Sequence, residues 1–219
     1  VNPMKKVIVP KLTSVPSSRI PREDVVKLRA EAQKNAFDKA RLEVGIAIGL
    51  RPGEVAGLKW KDFNPWESSL TIERQIQRIK GKGLVECKPK TPRKKPIPLI
   101  WEQVAILTEL QVFQHGDSDL TEIAEEFIFP NSIGKPMDPV FDRRWFRKLC
   151  EKSGVPRYER YQMRKTAFTE LSHYTDLGTV KAYSGHTQIS TLINHYIDPD
   201  ESTIRDALIR RNQSSNLIQ

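Results

Sequence analysis

The sequence contains little cysteine and has no long apolar run. Its 219 residues include only Cys87 and Cys150, too few for a disulfide framework or a cysteine-based metal site. No apolar stretch approaches the ~20 residues that span a bilayer, and residues 1–6 contain no apolar core of a secretion signal. We therefore expect an intracellular, cytoplasmic protein that has no membrane contact and no bound metal.

Two common catalytic signatures are also missing. The chain has no phosphate-binding loop of the G-x-x-x-x-G-K-[ST] type and no cluster of acidic residues that suggests a metal site. We expect no nucleotide and no other cofactor.

Positive charge is abundant and concentrated. The chain has 36 Lys and Arg against 27 Asp and Glu, a formal net charge of +9. Residues 74–95 contain nine basic side chains and one acid, Glu86, and residues 140–165 contain nine basic side chains and three acids. Such segments favour a nucleic-acid partner; a solvated basic surface is the alternative, and charge alone does not choose between them.

Composition divides the chain into a leader and a folded part. Residues 1–20 contain three prolines and a pair of serines without periodicity, which is typical of a linker. We expect that an upstream domain is missing. From Pro21 a proline followed by acids predicts a helix start, with an apolar face supplied by Val25, Val26, Leu28 and Ala32.

The remaining pattern predicts a mixed α+β fold, mainly α-helical with a small antiparallel β-sheet. Apolar residues alternate near Leu70 and again near Ile97, with a glycine turn at 81–83 between them. A short extended piece is expected at 127–129. Periodicity and helix-start signals predict a helix near 36–48 and a second that restarts at Pro52 after Gly49. They also predict helices near 101–114, 121–126, 139–152, 162–173, 178–184, 188–196 and 201–211.

Two arginines are candidates for phosphate binding. Arg51 lies between two predicted helices, where a guanidinium can present two donors to a phosphate; with Glu54 it could instead form a helix-capping pair. Arg164 opens a predicted helix and, taken alone, could be an ordinary surface arginine.

A histidine and a tyrosine follow these arginines. His186 comes directly after Ser184-Gly185, a predicted helix end, and Tyr196 comes ten residues later. Each has a structural alternative: a histidine after glycine is usually a cap or a buried hydrogen-bonding group, and a helical tyrosine is usually a core residue.

The order and spacing of these residues resemble the tyrosine recombinase, or phage integrase, family and its catalytic-domain fold. The resemblance covers about residues 22–198 and is most specific in the segment 48–60 (IGLRPGEVAGLKW) and in Ser184-Gly185-His186. It implies a site-specific recombinase that cuts and rejoins DNA through a 3′-phosphotyrosyl intermediate.

The resemblance also implies residue roles. Arg51 and Arg164 would hold the phosphate, Lys90 would be the general acid, His186 would lie beside the scissile phosphate and Tyr196 would be the nucleophile. Glu54 matches an acid that braces the site. Tyr161 departs from the family, because that position is most often histidine.

The choice of lysine is less specific than the choice of tyrosine. Lys90 has the family's usual placement before a threonine, but Lys88, Lys94 and Lys95 share its hairpin. We expect the following residues to contact DNA phosphates: Lys88, Arg93, Lys94 and Lys95.

The resemblance completes the expected organisation. Residues 1–20 would link a missing upstream DNA-binding domain to a catalytic domain at 21–200, and 201–219 would form a tail helix that docks on a neighbouring subunit or on its own domain. The family acts as a homo-tetramer on two DNA duplexes, with accessory DNA-bending or directionality proteins as possible partners. The alternatives are a type IB topoisomerase and a DNA-binding regulator with a decayed site.

Overall fold

The structure, a computed structural model, describes residues 18–93, 95–185, 205, 208 and 209. Its helices are α1 (Arg22–Ala32), α2 (Ala36–Ile46), α3 (Pro52–Gly57), α4 (Trp101–His115), α5 (Pro139–Lys152), α6 (Arg160–Ser172) and α7 (Leu177–Ser184). Its strands are β1 (Phe63–Asn64), β2 (Ser69–Leu70), β3 (Gln75–Ile79), β4 (Gly83–Cys87) and β5 (Ile97–Pro98). No helix in the described ranges is both long and apolar enough to cross a membrane.

The strands form two antiparallel sheets. One has the order β1-β2-β5 and pairs Leu70 with both Phe63 and Ile97. The other is the β3–β4 hairpin, whose turn contains Gly81 and ends at Gly83. The expected fold class, mainly helical with a small antiparallel sheet, is confirmed, although the sheet is divided in two.

Helix α2 lies in the middle of the molecule because both of its faces are apolar. Ala40 and Val44 belong to the main core, which also contains the β1-β2-β5 strands and α4. Leu42 and Ile46 belong to a second core, shared with α1 and α5. Burial on both faces fixes the C-terminal end of α2, from which the chain enters the candidate site.

A buried ionic network joins α2, α5 and α6. Asp142 accepts from the Nε atoms of Arg41 at 2.8 Å and of Arg160 at 2.6 Å. All three side chains are at most 3% exposed, so the carboxylate offsets the cost of burying two cations. This network sets the position of α6 relative to α2.

The prediction of a helix at 121–126 is wrong. This segment consists of turns, because its carbonyl groups are engaged elsewhere. The carbonyl oxygens of Ala124 and Glu126 each accept from a backbone N–H of residues 61 and 60 at 3.0 Å. Pairing with the residues that follow α3 replaces the i→i+4 bonds of a helix.

Smaller expectations also changed. Val26 is 62% exposed and does not belong to the apolar face of α1, and α2 ends two residues earlier than expected, at Ile46. Residues 18–20 belong to the predicted linker, but they pack against α6, where the N–H of Ile20 donates to Thr166 Oγ1 at 2.9 Å. The helix expected at 188–196 lies outside the described residues, and of the tail helix only residues 205, 208 and 209 are described, as helical.

Candidate active site

The corner between α2 and α3 requires glycine at position 49. Gly49 has a φ of +76°, and a Cβ built there would lie 2.9 Å from Cζ of Phe168. A side chain is therefore excluded both by backbone conformation and by space. Pro52 then begins α3 with its fixed φ, which places Arg51 directly before the helix.

Arg51 and Glu54 form the pair that capping predicts. Glu54 Oε2 accepts from the Arg51 backbone N–H at 2.9 Å, and Oε1 accepts from its Nη1 at 2.7 Å. The Glu54 side chain is 1% exposed, whereas that of Arg51 is 25% exposed. The capping contact and the phosphate-binding hypothesis are compatible, because the cap fixes a guanidinium that still reaches solvent.

Glu54 is held in its charged form. Burial alone would raise the pKa of this carboxyl, but the charge of Arg51, the bonds from Arg51 and the charge of Arg164 together keep the pKa below its ordinary value. Glu54 therefore acts as an anion between two cations, and it cannot serve as an acid near neutral pH.

Arg164 is a buried structural centre of the site. It lies in the second turn of α6 and does not open that helix, and with 1% exposure it is no ordinary surface arginine. Its Nη1 donates to the carbonyl of Gly49 at 2.6 Å and its Nη2 to that of Ser184 at 3.0 Å. The guanidinium also lies 4.5 Å from the ring centroid of Phe168. Arg164 thus joins the α2–α3 corner to the end of α7.

Arg93 belongs to the same cluster. Its Nη1 donates to the carbonyl of Tyr183 at 2.8 Å, and its Nη2 donates to that of Ser184 at 3.4 Å. Burial lowers the pKa of Arg93 to about 10, with Glu54 opposing this change and Arg164 adding to it. Arg93 is thus bound to the same end of α7 as Arg164, and its charge interacts with that of Glu54.

The lysines next to Arg93 differ from it in exposure. Lys88, Lys90 and Lys95 are all exposed on the segment between β4 and β5. The structure brings Arg51, Glu54 and Arg164 together, and it leaves Lys90 on the surface.

Tyr161 lies one helical turn before Arg164. It is in the first turn of α6, and 46% of its surface is exposed. Its side chain is therefore accessible to a ligand, unlike that of Arg164.

Three predicted site residues, Lys94, His186 and Tyr196, lie outside the described residues. The chain reaches position 186 from Gly185, the left-handed C-cap of α7, which has a φ of +69°.

Arg93 is the residue whose environment sequence reasoning missed. Its position in a basic run predicts a contact with DNA phosphate. The proline before it and the choice of arginine over lysine do not reveal burial. The signal is absent from the local sequence because the carbonyls that Arg93 binds are 90 and 91 residues away.

Comparison with known proteins supplies independent findings. The model of the Phage integrase family matches residues 18–203. A "Tyrosine recombinase XerC-like" protein of Caldanaerobacter subterraneus subsp. tengcongensis is 27% identical over 214 residues, covering 88% of this chain and 54% of the relative. Transposase A from transposon Tn554 of Staphylococcus aureus is 21% identical, covering 84% of this chain and 50% of the relative. The chain thus spans about half the length of these curated relatives.

Solved structures share the fold. The Tn1549 transposon integrase in complex with transposon right end DNA has a TM-score of 0.73 at 21% identity and covers 93% of this chain and 68% of that structure. The lambda integrase (residues 75–356) bound to DNA has a TM-score of 0.57 at 17% identity, with coverage of 80% and 58%. These likenesses show that the described elements adopt the fold of those integrases.

Proposed function

This chain belongs to the Phage integrase family, whose model matches residues 18–203, and we propose on that basis that it cuts and rejoins DNA at specific sites through a 3′-phosphotyrosyl intermediate. The observation that carries the proposal is the pair of fixed guanidinium groups at the α2–α3 corner: Arg51 is bound to the buried carboxylate of Glu54, and Arg164 is bound to the carbonyl of Gly49. Excess positive charge in a preorganised, partly buried site suits an anion such as a DNA phosphate.

The two arginines named by the resemblance have distinct roles in this proposal. Attack on a phosphodiester builds negative charge on the non-bridging oxygens, and guanidinium groups fixed beforehand stabilise that charge without reorganisation. Arg51 is fixed by Glu54 and reaches solvent, so it contacts the phosphate directly. Arg164 is buried and fixed by two backbone carbonyls, so it acts on the phosphate through its charge.

The remaining roles follow the chemistry of strand transfer. The Tyr196 oxygen forms a bond to phosphorus and gives its proton to solvent, while the bond from phosphorus to the 5′ oxygen breaks and Lys90 gives that oxygen a proton. His186 lies beside the phosphate in this scheme. Tyr161 orients the phosphate by a hydrogen bond from its hydroxyl group. The new phosphodiester keeps the bond energy, so rejoining needs no nucleotide.

The partners belong to the same proposal. The protein binds double-stranded DNA in the cytoplasm and acts as a homo-tetramer on two duplexes, with accessory DNA-bending or directionality proteins as further partners. Structures with this fold include integrases solved in complex with DNA, which supports DNA as the substrate.

The test is covalent capture on a nicked suicide substrate, resolved on a denaturing gel. We expect the parent to form an adduct and Tyr196→Phe to form none. The DNA affinity of the variant should stay unchanged, because an uncharged hydroxyl group does not neutralise a DNA phosphate. Tyr174→Phe is the matched control, since Tyr174 is 70% exposed and has no role in the scheme; it should form adduct as the parent does.

Each other outcome has a meaning. An adduct in Tyr196→Phe would show that another tyrosine is the nucleophile. Adduct at arbitrary sequences would indicate a type IB topoisomerase, and no adduct from the parent on its own site would indicate a DNA-binding regulator.

A further inference from the structure

The segment from Lys88 to Pro96, here called the Lys90 loop, connects β4 to β5. It begins at a fixed point, because Gln75 Nε2 donates to the carbonyl of Lys88 at 2.9 Å. Lys90 itself is exposed. The position of its ammonium group relative to Arg51 and Arg164 therefore depends on how the loop is held beyond Lys90.

Arg93 holds the loop on that side. Its guanidinium donates to the carbonyls of Tyr183 and Ser184, and Cγ and Nε of Arg93 lie 3.3 Å from the position a Cβ would take at Gly185. The last carbonyls of a helix have no intrahelical donor and form the negative end of its dipole. A planar cation that reaches two of these carbonyls forms two charge-assisted hydrogen bonds, which are stronger than neutral ones.

The partial burial of Arg93 supports a structural use of its charge. Burial lowers its pKa to about 10, and Glu54 opposes the change, so the group is still a cation at neutral pH. Arg93 and Arg164 both donate to the carbonyl of Ser184. The end of α7 is thus shared between the Lys90 loop and the arginine cluster.

We propose that Arg93 is a positioning residue that pins the Lys90 loop to the C-terminal end of α7 and so sets the placement of Lys90 against Arg51 and Arg164. The inference rests on the proposed function for the role of Lys90, and it replaces the expectation that Arg93 contacts DNA phosphate. The two roles differ in what they predict. A phosphate contact supports binding and its salt dependence, whereas a positioning residue supports the rate once DNA is bound.

The kinetic test compares Arg93→Met with Lys95→Gln on the suicide substrate, under single turnover at saturating DNA. Loss of two charge-assisted contacts should slow covalent cleavage by Arg93→Met about tenfold or more, with DNA affinity and its salt dependence unchanged. Arg93→Lys, which can donate to one carbonyl at a time, should recover part of the rate. Lys95→Gln should weaken binding and reduce the slope of log K against log salt by about 0.9. If Arg93→Met also weakens binding and reduces that slope, Arg93 is a phosphate contact and the proposal is wrong.

Hydrogen exchange tests the pinning without any activity. Peptides covering residues 88–93 and 178–185 should exchange faster in Arg93→Met and Arg93→Lys than in the parent, while α1 should be unchanged. Lys27→Met is the control, since Lys27 pairs with Asp24 of its own helix, and both peptides should then exchange as in the parent. Unchanged exchange of both peptides in the Arg93 variants would overturn the proposal even if the parent cleaves DNA. A parent that cleaves nothing, with faster exchange in the variants, would instead refute the proposed function and leave the pinning established.

Discussion

At the scale of the residue, Glu54 is the group on which the arginine cluster depends. Its side chain is 1% exposed and contacts Arg51 through both oxygens. Arg51 and Arg164 hold the pKa of Glu54 below its ordinary value despite burial. A group whose pKa falls on folding stabilises the folded state above its unfolded pKa, about 4.3, and that stabilisation is lost as pH falls through the folded-state pKa.

We expect Glu54→Gln to lower the free energy of unfolding by about 3 kcal/mol at pH 7, because it leaves Arg51 without its partner. The difference from the parent should shrink below about pH 4, where the parent carboxylate also becomes protonated. Urea unfolding at pH 3 to 7 measures both quantities. If the difference in the free energy of unfolding stays constant down to pH 3, the substitution acts by changing packing and not by removing a charge.

At the scale of the element, α3 and β3 approach each other through glycine. A Cβ at Gly53 would lie 2.8 Å from the carbonyl oxygen of Ile76, and one at Gly57 would lie 2.9 Å from that of Arg74. This contact ties the helix that carries Glu54 to the first strand of the hairpin, and the Lys90 loop leaves the second strand.

Gly53→Ala tests this close approach. An alanine in a helix is normally favoured over glycine by about 1 kcal/mol, whereas a methyl group forced against backbone costs about 1–3 kcal/mol. We expect the second effect to win, with a lower melting temperature and a slower covalent cleavage rate, measured by thermal unfolding and by the suicide substrate. A variant more stable than the parent would show that α3 can move away from β3 without cost.

The features that sequence predicted are those set by nearby residues. The hairpin turn at 81–83 and the Gly49–Pro52 corner were predictable because glycine and proline fix the backbone where they occur. The segment 121–126 was not, because its structure depends on donors from residues 60 and 61, about sixty positions earlier. Tertiary hydrogen bonds of this kind override local helix propensity.

The same limit applies to the candidate site. Arg51 and Glu54 are three residues apart, and their pairing follows from helix geometry. The contacts of Arg164 with residues 49 and 184 span 115 and 20 positions. The resemblance supplied its expected role, whereas local pattern alone favoured a surface position. For Arg93 neither source indicated burial.

At the scale of the whole molecule, the basic segments divide into exposed and buried members. Arg160, Arg164 and Lys165 are at most 7% exposed, and so is Arg74, so these residues serve the interior and the candidate site. The basic side chains exposed on the hairpin, the Lys90 loop and α5 include Lys80, Lys82, Lys88, Lys90, Lys95, Arg143, Arg144, Arg147 and Lys148. The number of basic side chains that can contact a DNA backbone is therefore smaller than the number in the sequence. The location of each side chain decides whether it contributes to DNA binding.

The salt dependence of DNA binding distinguishes the effect of where the basic residues lie from the effect of the total charge. The double variant Lys88→Gln/Lys95→Gln removes two exposed charges from the Lys90 loop. The double variant Lys27→Gln/Lys34→Gln removes two charges from α1 and from the turn that follows it, where each lysine pairs with an acid of α1. Net charge changes equally in both. If the loop lies along the DNA backbone, the first variant should reduce the slope of log K against log salt by about two. Each phosphate contact that is lost leaves one phosphate whose counterion is not released on binding. The second should leave the slope unchanged. The measurement is a titration of labelled duplex at several salt concentrations, with cleavage blocked by Tyr196→Phe. Equal slopes for the two variants would mean that binding depends on the overall field of a basic protein, and the placement of DNA along the Lys90 loop would be wrong.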